Sequence, residues 1–194
     1  MNIGDIADVN VGVVLNRKQA KYKSKISIQY ELFNLKIYED RQNGIMIDYD
    51  KFISEKDLSS YTVKKNDLLL RLAFPLKVII VDDELDGKLI SNQYVSIRID
   101  KNKYSPAFVK WYLESQDAEH QLEKYIVGTA IRTIPIVKVR EIRLPNISIN
   151  KQKELSKLVE SWEAQKRLYI NLIKDKESYY NNIIEMIIKK ERKK

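Results

Sequence analysis

From about Asn150 to Lys190 the chain repeats apolar residues at three- and four-residue steps: Leu155, Leu158, Val159, Trp162, Tyr169, Leu172, Ile173, Tyr179, Tyr180, Ile183, Met186 and Ile187, with Lys, Glu and Asn at most positions between them. That spacing predicts one long amphipathic helix. About 40 residues at 1.5 Å each run about 60 Å, more than a compact domain of this size covers on every side, so part of the stripe needs a partner. With Leu155 set at heptad position a, Leu155, Trp162, Tyr169 and Ile183 fall at a, and Leu158, Leu172, Tyr179 and Met186 at d. Lys176 at a and Gln165 at d interrupt the seam, a device that lowers stability while fixing register and orientation. Val159, Ile173, Tyr180 and Ile187 at e widen the stripe beyond a two-helix contact.

Ahead of the helix the period falls towards two. Ile3 to Val14 reads as a short lead-in to a strand or loop, with Gly4 and Gly12. Ile26 to Asp50 alternates apolar and polar residues through Ile28, Tyr30, Leu32, Leu35 and Ile37, predicting half-buried strands with a turn at Asn43-Gly44. Tyr61 to Leu72, Val78 to Val81 and Leu89 to Ile99 are further strand candidates, separated by Phe74-Pro75 and by the acidic turn Asp82 to Gly87. Ser105-Pro106 opens a helix to about Glu123, whose Phe108, Trp111, Tyr112, Ser115 and Leu122 form a core face. Ile134 to Leu144 is β-branched and basic, and Pro145 closes it. The expected fold class is α+β: a globular mixed α/β domain over residues 1–148, then the long helix over 149–194.

With 194 residues, 44% hydrophobic and 32% charged, the chain is neither disordered nor membrane-spanning in composition. The absence of cysteine excludes a disulfide framework and a thiolate zinc site. No signal-peptide pattern opens the chain, and the expected location is cytoplasmic. A formal net charge of +8 makes nucleic acid or an acidic surface a plausible partner. From residue 149 onward there are 12 basic and 7 acidic side chains, against 23 and 20 before it. Part of the excess is the tail from Lys189 to Lys194, which solvation alone explains. The best basic patch in the body is Asn16 to Lys25, ten residues with five cations, a tyrosine and no acid. A solvated surface loop is the plain alternative there.

Enzyme chemistry has little to stand on. The one histidine, His120, sits between Glu119 and Gln121 in a predicted helix and reads as a surface residue rather than a general base. No glycine-rich phosphate loop, nucleophile elbow or His-Glu-x-x-His segment is present, and Asp82, Asp83, Glu84 and Asp86 read as a turn rather than a cation site.

Several segments, in this order, resemble one half of the specificity (S) subunit of Type I restriction-modification systems. Gly4-Asp5-Ile6-Ala7-Asp8-Val9 with Gly12 is similar to the opening of that family's target recognition domain. Val63 to Leu70 is similar to its Val-x-x-Gly-Asp-Leu-Leu segment, with Asn66 in place of the glycine, a residue that tolerates left-handed backbone. Asn92-Gln93, Ser105-Pro106 to Leu113, Gly128-Thr129 through Arg132, and Val139 to Pro145 with Gln152 resemble the segments that follow. A conventional S subunit carries two recognition domains and two long helices packed antiparallel, and one of each is present here.

The resemblance implies a non-catalytic, DNA-binding half-subunit that forms a homodimer through an antiparallel coiled coil, its seam being Leu155, Leu158, Trp162, Gln165, Tyr169, Leu172, Lys176, Tyr179, Ile183 and Met186. Two identical readers imply two inverted copies of one half-site at a fixed spacing. Candidate phosphate contacts are Arg17, Lys18, Lys21, Lys23, Lys25 and Arg132, with Gly128 and Thr129 as backbone or hydroxyl donors. Candidate base readers are Asn16, Gln19 and Tyr22, then Arg71, Asn92, Gln93 and Tyr94. The implied partners are double-stranded DNA, a second copy, a methyltransferase (M) subunit and optionally a restriction (R) subunit. The chain itself holds no cofactor or metal, and S-adenosylmethionine belongs on the methyltransferase. Two alternatives stay open: a single-domain specificity subunit of another restriction or phage-defence system, and a coiled-coil scaffold that binds no DNA.

Overall fold

A computed structural model of the chain describes residues 1–18, 27–123, 125 and 133–192. The body is built on two antiparallel sheets. Strand β1 (Ala7–Val11) is followed by β2 (Ile28–Leu32), helix α1 (Leu35–Gln42), β3 (Asp50–Ser54), β4 (Leu68–Arg71), β5 (Lys77–Ile80) and β6 (Tyr94–Ile99). The main sheet has the order β1-β6-β4-β5, and β2 and β3 form a separate ribbon. Helices α2 (Pro106–Leu113), α3 (Gln116–Glu123), α4 (Ile136–Glu141) and α5 (Ile149–Glu191) complete the chain. The mixed α+β class and the long terminal helix are as the sequence predicts.

Burial explains the strand patterns. In β4, Leu68, Leu69 and Leu70 are all buried, so both faces of this central strand are covered and its sequence is a continuous apolar run. One face joins a core with Phe33, Tyr49, Val63, Ile79, Val81, Leu85, Ile90 and Tyr94. A second cluster, Val13, Phe52, Leu58 and Leu89, lies beneath the ribbon with Tyr30 and Leu32 packed on it.

Six local expectations are corrected. Leu35 and Ile37 belong to a helix: the Asn34 side chain accepts from the Lys36 and Ile37 backbone N–H groups at 2.9 and 3.4 Å, an N-cap that ends the extended run. Leu35, Ile37 and Tyr38 then pack one helical face on the core, and Asn43-Gly44 ends that helix rather than turning a hairpin. The stretch from Leu89 becomes a strand only at Tyr94. The helix expected to run to Glu123 breaks at Glu114-Ser115, and Trp111 ends up 43% exposed instead of in the core. Ser105 makes no side-chain cap, and Gln152 accepts from its backbone N–H.

Asn66 has φ 72°, the left-handed conformation expected of the residue standing in the glycine position. The turn is fixed by Asp67, a residue 2% exposed whose carboxylate accepts from the Lys64 N–H at 2.9 Å. Arg98 on β6 grips both of its oxygens, at 2.8 and 2.7 Å.

The chain divides into two compact units, Met1–Gln152 and Lys153–Lys194. Within the first, the opening turn of α5 is held by fully buried Gln152, whose Oε1 accepts from the Ser105 N–H at 2.9 Å and whose Nε2 donates to the Ile147 carbonyl at 3.0 Å. The second unit is helix. Along it Leu158, Trp162, Tyr169, Leu172, Ile173, Tyr179, Tyr180, Met186 and Ile187 are exposed, as are Leu168, Ile170, Ile184 and Ile188 outside the predicted stripe. Leu155 and Ile183 are half-buried. No described helix is long and apolar enough to cross a membrane.

Candidate nucleic-acid interface

Antiparallel pairing puts the C-terminal ends of β1 and β4 beside the N-terminal ends of β5 and β6. At this end of the sheet Val11 lies opposite Val95, and Arg71 lies opposite both Tyr94 and Lys77. The segment leaving β1 is pressed against the turn entering β6: Gly12 N–H donates to the Tyr94 carbonyl at 3.0 Å, Val13 N–H to Ile90 at 2.9 Å, and Asn92 N–H to Val13 at 2.9 Å. Gly12 is required here by space, since a Cβ would lie 2.3 Å from the Ser91 carbonyl oxygen. Past that contact a short 3-10 turn, Leu15–Arg17, presents Asn16 and Arg17 to solvent.

These contacts frame a cleft of about 600 Å³, lined by Asn16, Asn34, Lys36, Glu39, Arg71, Asn92, Gln93 and Tyr94 among others. Asn16, Asn92 and Gln93 are exposed amides, able to donate and accept at a base edge. Arg71 is half-buried on the wall, and Arg17 and Lys18 follow Asn16 in the chain. None of these three cations has an acidic partner among the described residues. Glu39 faces Lys77 at 4.0 Å and is thereby partly neutralised. A concave, amide-rich surface carrying unpaired cations suits a polyanion with readable edges.

Five of the predicted site residues, Asn16, Arg71, Asn92, Gln93 and Tyr94, come from three separate stretches of sequence and meet in this cleft. Tyr94 is its floor: 8% exposed, with its ring edge-on to Phe33 at 5.0 Å. Burial raises the pKa of its hydroxyl, while Arg71 nearby pulls the other way, and the ring packs in the core rather than standing free to stack on a base. Gln19, Lys21, Tyr22, Lys23, Lys25, Gly128, Thr129 and Arg132 lie outside the described residues. On one side of each of those stretches the described chain lies at this end of the sheet. Lys18 closes the 3-10 turn, while Thr133 bridges to Ala73 and Ile134 N–H donates to the Leu72 carbonyl at 3.0 Å. The Leu72 N–H in turn donates to Gln93 at 2.9 Å.

Sequence reasoning misses Asn34, Lys36 and Glu39 as residues of this cleft. Their signal is the Asn34 cap followed by apolar residues at helical spacing, hidden beneath a strand reading.

A second concave surface is engaged differently. A cleft of about 760 Å³ near α3 and α4 is stitched by Gln121, which bonds the Tyr112 hydroxyl and both backbone polar groups of Arg143. In it Lys138 is already paired with Glu141 and lies 4.4 Å from the centre of the Tyr125 ring. His120 is exposed at its rim. At the far end of the main sheet the acidic turn shapes itself, with Asp82 accepting from the Glu84 and Leu85 N–H groups at 3.1 Å.

Neither a family model nor a curated protein sequence matches the chain. Solved structures do. One, described as addressing complex assembly and conformational transition of the type I R-M system, matches 90% of this chain with TM-score 0.63 at 16% identity. The HsdS subunit from Thermoanaerobacter tengcongensis matches 86% with TM-score 0.58 at 16% identity. The Type I restriction-modification S subunit from M. genitalium matches 84% with TM-score 0.53 at 15% identity. The fold is S-subunit-like. Of those three chains, 45%, 42% and 38% respectively is spanned, less than half of each. The S-subunit-like part present here is one globular body and one long helix.

Proposed function

We propose that this chain is the DNA-recognition subunit of a Type I restriction-modification system, in a form with one recognition domain over residues 1–148 and one spacer helix over 149–194. The observation that carries this reading is the meeting of Asn16, Arg71, Asn92 and Gln93 in one cleft beside unpaired cations, on an S-subunit-like fold. Arg17 and Lys18 contact phosphates, and the amides of Asn16, Asn92 and Gln93 read base edges. The subunit performs no chemistry. It places a partner methyltransferase, which binds S-adenosylmethionine and modifies adenine, and a restriction subunit joins that assembly optionally.

Two copies pair antiparallel through α5, and the exposed apolar residues along that helix support the pairing. Lys176 and Gln165 set its register. The paired helices then fix the distance between two inverted DNA half-sites.

The test is salt-dependent binding to duplex DNA. Alanine at Arg17 or Lys18 is expected to weaken binding to all sequences about equally and to reduce the slope of log K against log salt by about 1 for each phosphate no longer neutralised. Unchanged affinity and slope in both variants would remove this turn from the interface.

A further inference from the structure

Between α1 and β3 the chain exposes three consecutive apolar residues, Ile45, Met46 and Ile47, at 52%, 81% and 39%. Such a run facing water in a loop is unfavourable unless it is covered in an assembly. The loop is not loosely hung. Gly44, at φ 85°, turns the chain, and the Ile45 N–H donates to the Asp40 carbonyl at 3.0 Å. From behind, the Arg41 guanidinium donates to the Ile47 carbonyl at 2.9 Å and to Glu84 at 2.6 Å. The buried Tyr49 hydroxyl donates to that same Glu84 oxygen at 3.0 Å. Core residue Tyr49 therefore ties the loop's base to the body while the three side chains point outward. An apolar contact surface already held in place loses little entropy on binding.

The charge around it selects the occupant. Asp48 follows Ile47 directly in the chain, Asp40 carries the carbonyl that holds Ile45, and Asp82 shapes the turn from which Glu84 reaches Arg41. Arg41 is itself paired with Glu84. Lys88, whose ammonium lies 4.1 Å from the Tyr49 ring centre, is likewise paired, with Glu31, so the surround is acidic in balance and repels nucleic-acid phosphate. A symmetric contact between two copies of the loop would set acids against acids. The loop is tied to the acidic turn after β5, at the opposite end of that strand from Lys77 and the cleft, so an occupant there leaves the cleft open.

We infer that Ile45-Met46-Ile47 is a docking knob for a different protein chain, one that offers an apolar pocket rimmed by lysine and arginine. The inference rests on the proposed function only in naming the probe, the cognate methyltransferase of the proposed system. Full-length chain carrying Ile45→Ser and Met46→Ser is expected to bind that methyltransferase about tenfold more weakly or worse, with unchanged melting temperature and unchanged DNA binding by the chain alone. A photo-reactive amino acid at position 46 is expected to cross-link to a Lys/Arg-rimmed surface of the methyltransferase in the reconstituted complex. Equal affinity of variant and wild type, or a cross-link to DNA or to a second copy, overturns the knob while leaving the proposed function standing. Failure of the wild-type chain to bind the methyltransferase at all overturns the partner in both.

Discussion

Replacing Arg98 with alanine is expected to destabilise the fold by about 3 kcal/mol, seen as a fall in melting temperature of about 6–12 °C for a chain of this size. The reason is asymmetry within the pair. The Asp67 side chain is 3% exposed, while the Arg98 side chain is 45% exposed. Removing arginine leaves a buried carboxylate with the Lys64 N–H but no counter-charge, whereas removing the carboxylate leaves a guanidinium that water can reach. Arg98→Lys keeps the charge but gives up the two-pronged grip, so an intermediate destabilisation is expected. Because the pair sits at the end of β4 away from the cleft, Arg98→Ala measured well below its melting temperature is expected to bind DNA normally. A melting temperature within about 2 °C of wild type would mean that the ion pair does not secure the Asn66 turn.

The second large effect concerns the helix. Trp162→Glu combined with Leu172→Glu changes side chains that are 59% and 51% exposed in the single chain, so the body is expected to fold unchanged. On the proposed pairing both positions lie in the seam, and two new charges buried against the second copy's apolar side chains oppose association. Light scattering should give the dimer mass for wild type and the monomer mass for the variant. Affinity for a two-half-site duplex is expected to fall about 100-fold, because the second reader no longer has the effective concentration that linkage provides. A variant with undiminished affinity would show that one reader suffices.

The elements legible in the sequence are those set by strong periodicity or by one conformational requirement. The 43-residue helix is visible because its apolar spacing persists over many turns, and the left-handed turn is visible because asparagine stands where a glycine is expected. What escapes is set by tertiary context. Leu35 and Ile37 alternate like a strand, yet the Asn34 cap and packing of Tyr38 on the core make a helix. Ile134 to Leu144 is rich in β-branched residues, yet its middle forms α4, from which Arg140 reaches the Val9 carbonyl at 2.7 Å. At the candidate interface, side chains whose chemistry already suggests contact with DNA converge, but only the sheet register shows why Arg71 and Gln93 meet. Tyr94 goes the other way: its aromatic chemistry suggests readout, and burial against Phe33 gives it to the core. Asn34 and Glu39 carry no signal that distinguishes them from any capped surface helix.

The central claim is that two identical readers, held apart by paired helices, recognise one divided site. Sequencing of adenine methylation in cells that express this chain with its cognate methyltransferase tests it most directly. The expected result is a new methylation motif made of two inverted copies of one short half-site around a spacer of fixed length, absent in the Trp162→Glu, Leu172→Glu variant. An undivided or asymmetric motif, or a methylation pattern the same without this chain, would contradict it.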